Sequence, residues 1–264
     1  MEILTPSLDL AAFLERIPAA PHRVLLLDYD GTLAPFQQRP ELAVPYPEVL
    51  SVLNDIVRAG GTRIVIVSGR RAEELPPLLK LETRPEIWGS HGWERLHPDG
   101  TLTVEQPAER ERAGLEQAAA LLRPLLDTGA RIERKPASVA LHWRGLPAPA
   151  VASLRAATAE RWKPLANDTE LEVLPFDGGL ELRAPGWNKQ HAVKAVLAKT
   201  QEGSAIAYLG DDITDEDAFA AVKPRGIAVL VRPQFRKTCA DVWIRPPREL
   251  LAFMKHWRVP ARPG

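Results

Sequence analysis

The sequence predicts an α/β fold: a doubly wound, mostly parallel sheet with a smaller α+β domain inserted into it. Three observations support this prediction. Short apolar runs alternate with helical stretches at both ends of the chain, as in a parallel sheet covered by helices. The middle of the chain instead alternates apolar and polar residues, which is typical of antiparallel strands. The chain has 264 residues, a length that suits about two folding units.

Residues 1–105 are predicted to form the first part of the α/β domain. In chain order, the predicted elements are a helix from Ser7 to about Arg16, a strand at 24–27, a helix at 47–59, a strand at 62–67, a short helix broken at Pro76 and Pro77, a strand in the segment EIWG and a hairpin that turns at Pro98. Ser7 is the predicted N-cap because its hydroxyl can accept a hydrogen bond from the first helical turn. The helix at 47–59 carries its apolar residues on one face and stops before Gly60 and Gly61.

Residues 106–183 are predicted to be the inserted domain, and residues 184–264 to complete the α/β domain. The predicted elements of the insert are a helix between Pro107 and Asp127, strands within 132–143 and 170–174, a helix from Pro147 to Trp162, and a hairpin turn at Gly178 and Gly179 that leads into the segment LELRAP. The predicted elements that follow are a helix at 188–200, a strand at 205–209, a helix at 214–222, strands at 226–231 and 242–244, and a helix at 247–257. The first pattern therefore returns after the insert.

The composition excludes several classes of protein. Lysine and arginine total 34, as do aspartate and glutamate, so the formal net charge is zero and a general binder of nucleic acid or membrane surfaces is not expected. A single cysteine, Cys239, excludes an intramolecular disulfide and a multi-cysteine metal site. The N-terminal segment does not resemble a secretory signal, and no apolar run approaches the roughly 20 residues of a membrane span. We expect a monomeric cytoplasmic protein.

The strongest functional pattern is the segment DYDGTL, which follows the apolar run at 24–27. It contains Asp28, Asp30 and Thr32. Ligands of open α/β sheets bind outside the carboxyl ends of the strands, so both carboxylates are expected in the binding crevice. Two neighbouring acids repel each other unless a cation or a bound partner offsets their charge. A surface turn also produces paired acids, but the buried strand before them favours a binding site.

Polar segments follow the other predicted strands as well. Ser68, Gly69 and Arg70 come directly after the strand at 62–67, where a hydroxyl and backbone N–H groups can hold phosphate oxygens. Arg70 is expected either to reach the substrate or to pair with a carboxylate. Lys189 begins a predicted helix, at the unfavourable positive end of the helix dipole, so a functional partner is expected for it.

A second group of acids follows the strand at 205–209, in the segment GDDITDED. Acids in a first helical turn are favoured by the helix dipole, which accounts for those from Asp215 onward. Asp211 and Asp212 lie at the strand end, where a hard cation bound by oxygen ligands explains them better. Mg²⁺ uses one or two carboxylates together with water and substrate phosphate.

These four segments, in this order, resemble the motifs of the haloacid dehalogenase-like phosphatases. The resemblance implies that Asp28 is a nucleophile that forms an aspartyl-phosphate, that Asp30 is the general acid and base, and that Lys189 holds the nucleophile and the phosphoryl oxygens. It implies a Mg²⁺ site formed by Asp28, the backbone carbonyl of Asp30 and Asp211, with Asp212 and Asp215 as further candidates. The residues expected to contact the phosphate are Thr32, Ser68, Gly69 and Arg70.

Three longer segments, GSHGWE, ERKPASVALHWR and LGDDITDEDAF, resemble the trehalose-6-phosphate phosphatases. The resemblance extends from Val24 to about Val242 and implies Mg²⁺-dependent hydrolysis of trehalose 6-phosphate. The expected sugar contacts are Lys135, His142, Arg144 and Glu181 of the insert, with His91 and Glu94 of the loop after the third core strand. Trp93 and Trp143 are expected in the core rather than at the sugar. The turn at 177–179 departs from similar sequences because it lacks basic or amide side chains.

Three other functions remain open at this point. They are hydrolysis of another sugar phosphate, such as a sucrose or mannosylglycerate phosphate, phosphosugar mutase activity, and binding of a sugar phosphate without catalysis. A binding module is expected to lack the nucleophile or the acid. Asp28, Asp30, Lys189 and Asp211 are all present, which favours an enzyme.

Overall fold

The chain forms two compact units in the computed structural model, which describes residues 1–37, 39–176 and 178–261. The first unit contains Met1–Thr103 and Asn188–Gly264, and the second contains Val104–Trp187. The second unit is therefore inserted into the first. The predicted fold class, a mostly parallel α/β sheet with a smaller inserted α+β part, is confirmed.

The helices and strands follow in chain order. Before the insert they are β1 (Glu2–Ile3), α1 (Leu10–Arg16), β2 (Arg23–Leu27), α2 (Pro47–Ala59), β3 (Arg63–Val67), α3 (Pro76–Leu79), β4 (Glu86–Gly89), β5 (Glu94–Leu96) and β6 (Leu102–Val104). Those of the insert are α4 (Glu109–Leu122), β7 (Arg131–Lys135), β8 (Ser138–His142), α5 (Ala148–Asp168), β9 (Glu172–Phe176) and β10 (Gly179–Arg183). After it come α6 (Lys189–Ala198), β11 (Ala205–Gly210), α7 (Glu216–Val222), β12 (Ile227–Val231), β13 (Val242–Ile244) and α8 (Arg248–Lys255).

The first unit is built on a sheet with the strand order β1-β13-β12-β11-β2-β3-β4-β5-β6 across the described residues. Strands β13, β12, β11, β2, β3 and β4 are parallel, and β1 and β5 run antiparallel to their neighbours. Parallel strands end at the same edge of a sheet. The residues that follow β11, β2, β3 and β4 are therefore neighbours, which places the predicted motifs at one edge.

The central strands are buried on both faces because helices cover the sheet on each side. All five residues of β2 are buried. Helix α8 packs against α2, and the rings of Phe253 and Trp257 lie 6.3 Å apart in this layer. None of the described helices combines the length and apolar character that a membrane span requires.

The second unit is a four-stranded antiparallel sheet, in the order β7-β8-β10-β9, that packs against α4 and α5. The strand register separates its two faces. One face carries buried apolar residues such as Val139, Leu141 and Leu182. The other carries mostly polar residues, in order across the sheet Glu133, Lys135, Ser138, His142, Glu181 and Arg183. Because the two faces alternate along each strand, the unit presents one polar sheet surface.

Several predicted boundaries are wrong. Helix α1 is capped by Asp9, whose Oδ1 accepts from the Ala12 N–H at 2.9 Å, and not by Ser7. Helix α5 continues past Trp162 through Pro164, because the buried side chains of Trp162 and Leu165 keep its last turns packed. The two-residue strand β1 was not predicted, since it is too short to show a periodicity. Trp93 and Trp143 are buried, as expected.

Burial in the helical layer leads to a stability prediction. We expect Phe253→Ala to lower the free energy of unfolding by about 3–5 kcal/mol, because the fully buried ring leaves a cavity. Phe235→Ala is the matched control, since the Phe235 side chain is 51% exposed. Urea unfolding of both variants measures the difference. Equal losses in the two variants would contradict this account of the core.

Candidate active site

Asp28 lies at the centre of the strand-end site. It directly follows β2, and its N–H donates to the Leu209 carbonyl of β11 at 2.8 Å. The carboxylate is 3% exposed; its Oδ1 accepts from Lys189 Nζ at 2.7 Å and its Oδ2 from Thr32 Oγ1 at 3.2 Å. Gly31 has a φ of +82°, a left-handed conformation that suits glycine and turns the chain back beneath the carboxylate. The segment DYDGTL thus forms a tight loop around Asp28.

Lys189 is a buried cation shared by two carboxylates. Its Nζ donates to Asp28 Oδ1 and to Asp215 Oδ1, both at 2.7 Å. Asn188 and His191 form a capping box at the start of α6, and Asn188 Nδ2 donates to Asp217 Oδ2 at 2.7 Å. Burial alone favours the neutral amine, but the charges of Asp215 and Asp28 outweigh it and raise the pKa of Lys189. The lysine therefore stays charged.

Asp215 is hydrogen-bonded on all sides. Its Oδ1 accepts from Lys189 Nζ and from the Tyr208 hydroxyl, at 2.7 and 2.6 Å. Its Oδ2 accepts from the backbone N–H groups of Asp211 and Asp212, both at 3.0 Å. A carboxylate has about four lone-pair positions, so these four donors occupy the full hydrogen-bonding capacity of Asp215. Asp215 thus fixes Lys189 and the loop after β11.

Asp211 faces Asp28 across the loop. The Asp28, Asp211 and Asp215 carboxylates each offer an oxygen, and these atoms lie within 4.8 Å of one another. A Cβ atom placed on Gly31 would lie 2.2 Å from Asp211 Oδ2, so the glycine leaves the space that this carboxylate occupies. Burial and the charge of Asp28 raise the pKa of Asp211, and burial likewise raises the pKa of Asp28. This concentration of oxygen donors and negative charge fits a hard metal ion.

Asp30 and Arg70 form a two-pronged ion pair. Arg70 Nε donates to Asp30 Oδ2 and a second guanidinium nitrogen donates to Oδ1, both at 2.6 Å. Of the two expectations for Arg70, the structure realises the pairing with a carboxylate. Ser68, at the end of β3, is 1% exposed, and its Oγ accepts from the Arg70 N–H at 3.2 Å. The loop after β3 therefore orients Asp30.

The loop after β4 brings His91 to the same sheet edge. Ser90 and His91 both have left-handed backbone, with φ of 49° and 59°, and the Ser90 and His91 N–H groups donate to the carbonyls of Arg70 and Ser68. A Cβ on Gly69 would lie 2.7 Å from the His91 ring, so Gly69 allows the close approach of the imidazole. The loops after β3 and β4 are thus bound to each other.

Glu94 has protein partners instead of an open position. It is 1% exposed, its Oε2 accepts from the Ala72 N–H at 2.7 Å, and its Oε1 accepts from Arg71 Nε at 3.3 Å. Each Glu94 oxygen therefore has one donor within the first unit, and the sugar contact expected for Glu94 stays a prediction. Asp212 is exposed and caps the short helix at Ile213–Asp215, outside the cluster of the three buried acids.

The polar face of the second unit contains the predicted sugar contacts. His142 Nε2 lies 2.7 Å from Glu133 Oε2, Lys135 Nζ lies 3.6 Å from Glu133 Oε1, and Ser138 Oγ donates to Glu181 Oε1 at 2.6 Å. Burial opposes ionisation of Glu133, but the bond from His142 and the charge of Lys135 lower its pKa to about 2.

Arg144 lies beyond the end of β8, and not on the strand as expected. Its side chain packs over Gly178, where a Cβ would lie 2.9 Å from Arg144 Nε. Gly178 has a φ of +86°, so the turn needs a glycine there for its backbone as well. Asp177, which belongs to the same predicted turn, lies outside the described residues.

Similarity to known proteins shows which family the chain belongs to. A family model described as "Trehalose-phosphatase" matches residues 26–240, which is most of the chain. The chain belongs to the trehalose-phosphatase family. It is 37% identical over 218 residues to the trehalose-phosphate phosphatase of Mycobacterium tuberculosis, and 34% identical over 222 residues to that of Mycobacterium ulcerans. The aligned regions cover 79% and 80% of this chain and 53% and 54% of those proteins. The chain thus spans about half the length of these curated relatives.

A solved structure agrees with the fold. The chain is similar to the trehalose-6-phosphate phosphatase C-terminal domain of C. albicans, with a TM-score of 0.78 and 22% identity. The similarity covers 98% of this chain and 99% of that one. At this identity it supports the α/β fold with its inserted unit.

Two arginines beside the buried acids of this member of the trehalose-phosphatase family were not predicted. Arg232 donates to the Asp211 carbonyl at 3.1 Å, and Arg236 Nε donates to the same oxygen at 3.2 Å. Arg236 also donates to the Asp212 carbonyl at 2.5 Å and pairs with Glu216. The only signal in the sequence is two arginines shortly after a buried strand, which does not reveal their backbone partners. They fix the peptide groups next to Asp211.

The raised pKa values of the buried acids lead to a pH prediction. The folded state holds protons on Asp28 and Asp211 more tightly than the unfolded chain does, so this contribution to stability is full below the ordinary value of 3.8 and is lost as pH rises through the raised values. We expect a metal-free sample to melt at a lower temperature at about pH 8 than at about pH 5. Asp211→Asn should reduce the difference. An unchanged difference in that variant would contradict the assignment.

The arginine contacts lead to a second prediction. Arg236→Ala removes the bonds to the Asp211 and Asp212 carbonyls, so we expect binding of a divalent cation to weaken by roughly 10–100-fold. Calorimetric titration with Mn²⁺ measures the change. Arg39→Ala is the control, because Arg39 is an exposed residue paired with Glu41. Equal affinities in wild type and Arg236→Ala would show that the contact does not position Asp211.

Proposed function

We propose that this protein is a Mg²⁺-dependent phosphatase that hydrolyses trehalose 6-phosphate to trehalose and phosphate. The observation that carries the proposal is the buried cluster of Asp28, Lys189 and Asp211 at the strand edge, in a chain of the trehalose-phosphatase family. The relatives in two Mycobacterium species are named trehalose-phosphate phosphatase. The cytoplasmic location and the monomeric state stay predictions from the sequence.

The proposed reaction proceeds in two steps. In the first, an Asp28 oxygen attacks phosphorus, the bond between phosphorus and the sugar oxygen breaks, and Asp30 gives its proton to that oxygen. In the second, Asp30 takes a proton from a water molecule whose oxygen attacks the aspartyl-phosphate. Phosphate and the free Asp28 carboxylate result. Lys189 offsets the negative charge on Asp28 and on the phosphoryl oxygens, and Thr32 and Ser68 offer hydroxyl groups to the phosphate.

Arg70 is assigned a new role in this proposal. Both Asp30 oxygens accept from its guanidinium, and each keeps a lone-pair position with which Asp30 can serve the leaving oxygen. Arg70 therefore acts in this proposal as the group that orients Asp30. Glu94 likewise supports the loop at Ala72.

Asp28 and Asp211 are the carboxylates proposed to hold Mg²⁺, together with the backbone carbonyl of Asp30. Each has accepting capacity left, whereas Asp215 is occupied by its four donors. Mg²⁺ prefers oxygen ligands and supplies positive charge that stabilises the phosphoryl group during transfer. Asp215 keeps Lys189 and the Asp211 backbone in place, and Asp212 caps the helix start.

The polar sheet face of the second unit is proposed to bind the disaccharide. Its Lys135, His142 and Glu181 side chains offer donors and acceptors to sugar hydroxyls, and Arg144 stands at the end of the same face. Glu133 joins this set, since it holds both His142 and Lys135. The unit would thereby act as the cap domain that selects the substrate, while the first unit performs the phosphoryl chemistry.

A panel of phosphate esters tests the activity. We expect phosphate release from trehalose 6-phosphate to exceed that from sucrose 6-phosphate, glucose 6-phosphate and a mannosylglycerate phosphate. Asp28→Asn should reduce release by roughly 10³-fold or more, because no second nucleophile replaces it. Asp55→Asn is the matched control, since Asp55 pairs with Arg58 on α2.

Each alternative function predicts a different outcome of this panel. A preference for another ester would overturn the substrate assignment and leave the phosphatase chemistry standing. Transfer of the phosphoryl group to a second sugar, without phosphate release, would indicate a mutase. Full activity of Asp28→Asn would exclude Asp28 as the nucleophile.

A further inference from the structure

The polar face of the second unit offers hydrogen-bonding groups, but a sugar ring also presents apolar C–H surfaces. Binding sites for such ligands combine a few polar groups with an apolar or aromatic surface. Two tryptophans of this unit, Trp143 and Trp162, are buried in its core, 3% and 0% exposed, and the third, Trp187, follows β10 at the end of the unit. An aromatic side chain that lies within the polar face itself would supply the apolar surface.

Phe176 meets this requirement. It is the last residue of β9 and pairs with Gly179, which in turn pairs with His142, so the three residues lie in one row across the sheet. The register places Phe176 on the same face as Glu181 and His142. Its ring lies 5.1 Å from the imidazole of His142, at an interplanar angle of 63°, and the residue is 37% exposed. A partly exposed aromatic ring thus lies among the polar side chains of this face.

Gly179 makes this position of the ring possible. A Cβ on Gly179 would lie 1.9 Å from Phe176 Cζ, a distance that no side chain tolerates, so the ring occupies space that only glycine leaves free. The next residue back, Gly178, accommodates Arg144 in the same way. The two glycines therefore let an aromatic ring and a guanidinium lie close to the sheet, at the turn that lacks basic or amide side chains.

We propose that Phe176 is a specificity-determining residue that contacts the C–H surface of the sugar, beside the polar groups of Glu133, His142 and Glu181. The inference rests on the proposed function and adds to it an apolar contact between Phe176 and the sugar. Contact with the ring removes apolar area from water on both partners, and His142 fixes the ring edge-on. The polar groups then select hydroxyl positions, and Phe176 selects a ligand with a sugar ring over a small ester.

Kinetics with two substrates test the inference. We expect Phe176→Ala to lower kcat/KM for trehalose 6-phosphate by about tenfold, mostly through KM, because the contact is lost in both ground and transition states. Hydrolysis of p-nitrophenyl phosphate, which has no sugar, should stay within about twofold of wild type. Phe176→Trp should restore most of the loss because it restores a flat apolar surface. Leu126→Ala is the control: Leu126 is 42% exposed in the same unit but lies outside the sheet.

The outcomes separate the two proposals. Wild-type protein that does not hydrolyse trehalose 6-phosphate would overturn the proposed function and the contact with it. Wild-type activity together with unchanged kinetics of Phe176→Ala would overturn the contact alone. Equal losses on both substrates, or no rescue by Phe176→Trp, would assign Phe176 to the support of the turn.

Discussion

The site depends on one buried interaction, the bonds of Lys189 to Asp28 and Asp215. A buried ammonium group is costly in isolation, and here two carboxylates compensate it. Asp215 also binds the backbone on which Asp211 stands, so one side chain orients both the cation and the opposite acid. Loss of Lys189 would leave two buried carboxylates uncompensated, so the loops after β2 and β11 depend on the start of α6. The three buried acids still outnumber the lysine, and the remaining negative charge is what a metal ion would neutralise.

The two units divide the chemistry according to their sheets. The parallel sheet is buried on both faces, so its strand ends are the places where functional groups can lie. The three buried acids and Lys189 lie there. The antiparallel sheet is covered by helices on one side only. Its other face carries Lys135, His142 and Glu181. The first arrangement concentrates charge on a few atoms, as phosphoryl transfer requires. The second spreads donors and acceptors over the strands of one sheet face.

The sequence predicted the parts of the site that follow directly from strand order. Helix 47–59 and strand 242–244 have the observed bounds, and Asp28, Ser68 and Asp211 lie at neighbouring strand ends as the alternation of elements implied. The choice of Asp30 as the partner of Arg70, the saturation of Asp215 and the burial of Glu94 could not be predicted, because they depend on side-chain directions between loops that are distant in sequence. Arg232 and Arg236 bind backbone carbonyls, which every residue has, so no motif reveals them. Phe176 lies outside the predicted strand at 170–174, and only the observed register of β9 shows which face it occupies.

The capping box at the start of α6 has a mechanical consequence. The inserted unit ends at Trp187, and Lys189 follows only two residues later. The residue that separates them, Asn188, is tied to His191 within the helix and to Asp217 of α7. Asn188 is therefore held by two contacts directly before the residue that carries the ammonium group. Asn188 thus joins the insert to α6 through a residue held in place, and the ammonium group beside Asp28 is anchored from both sides.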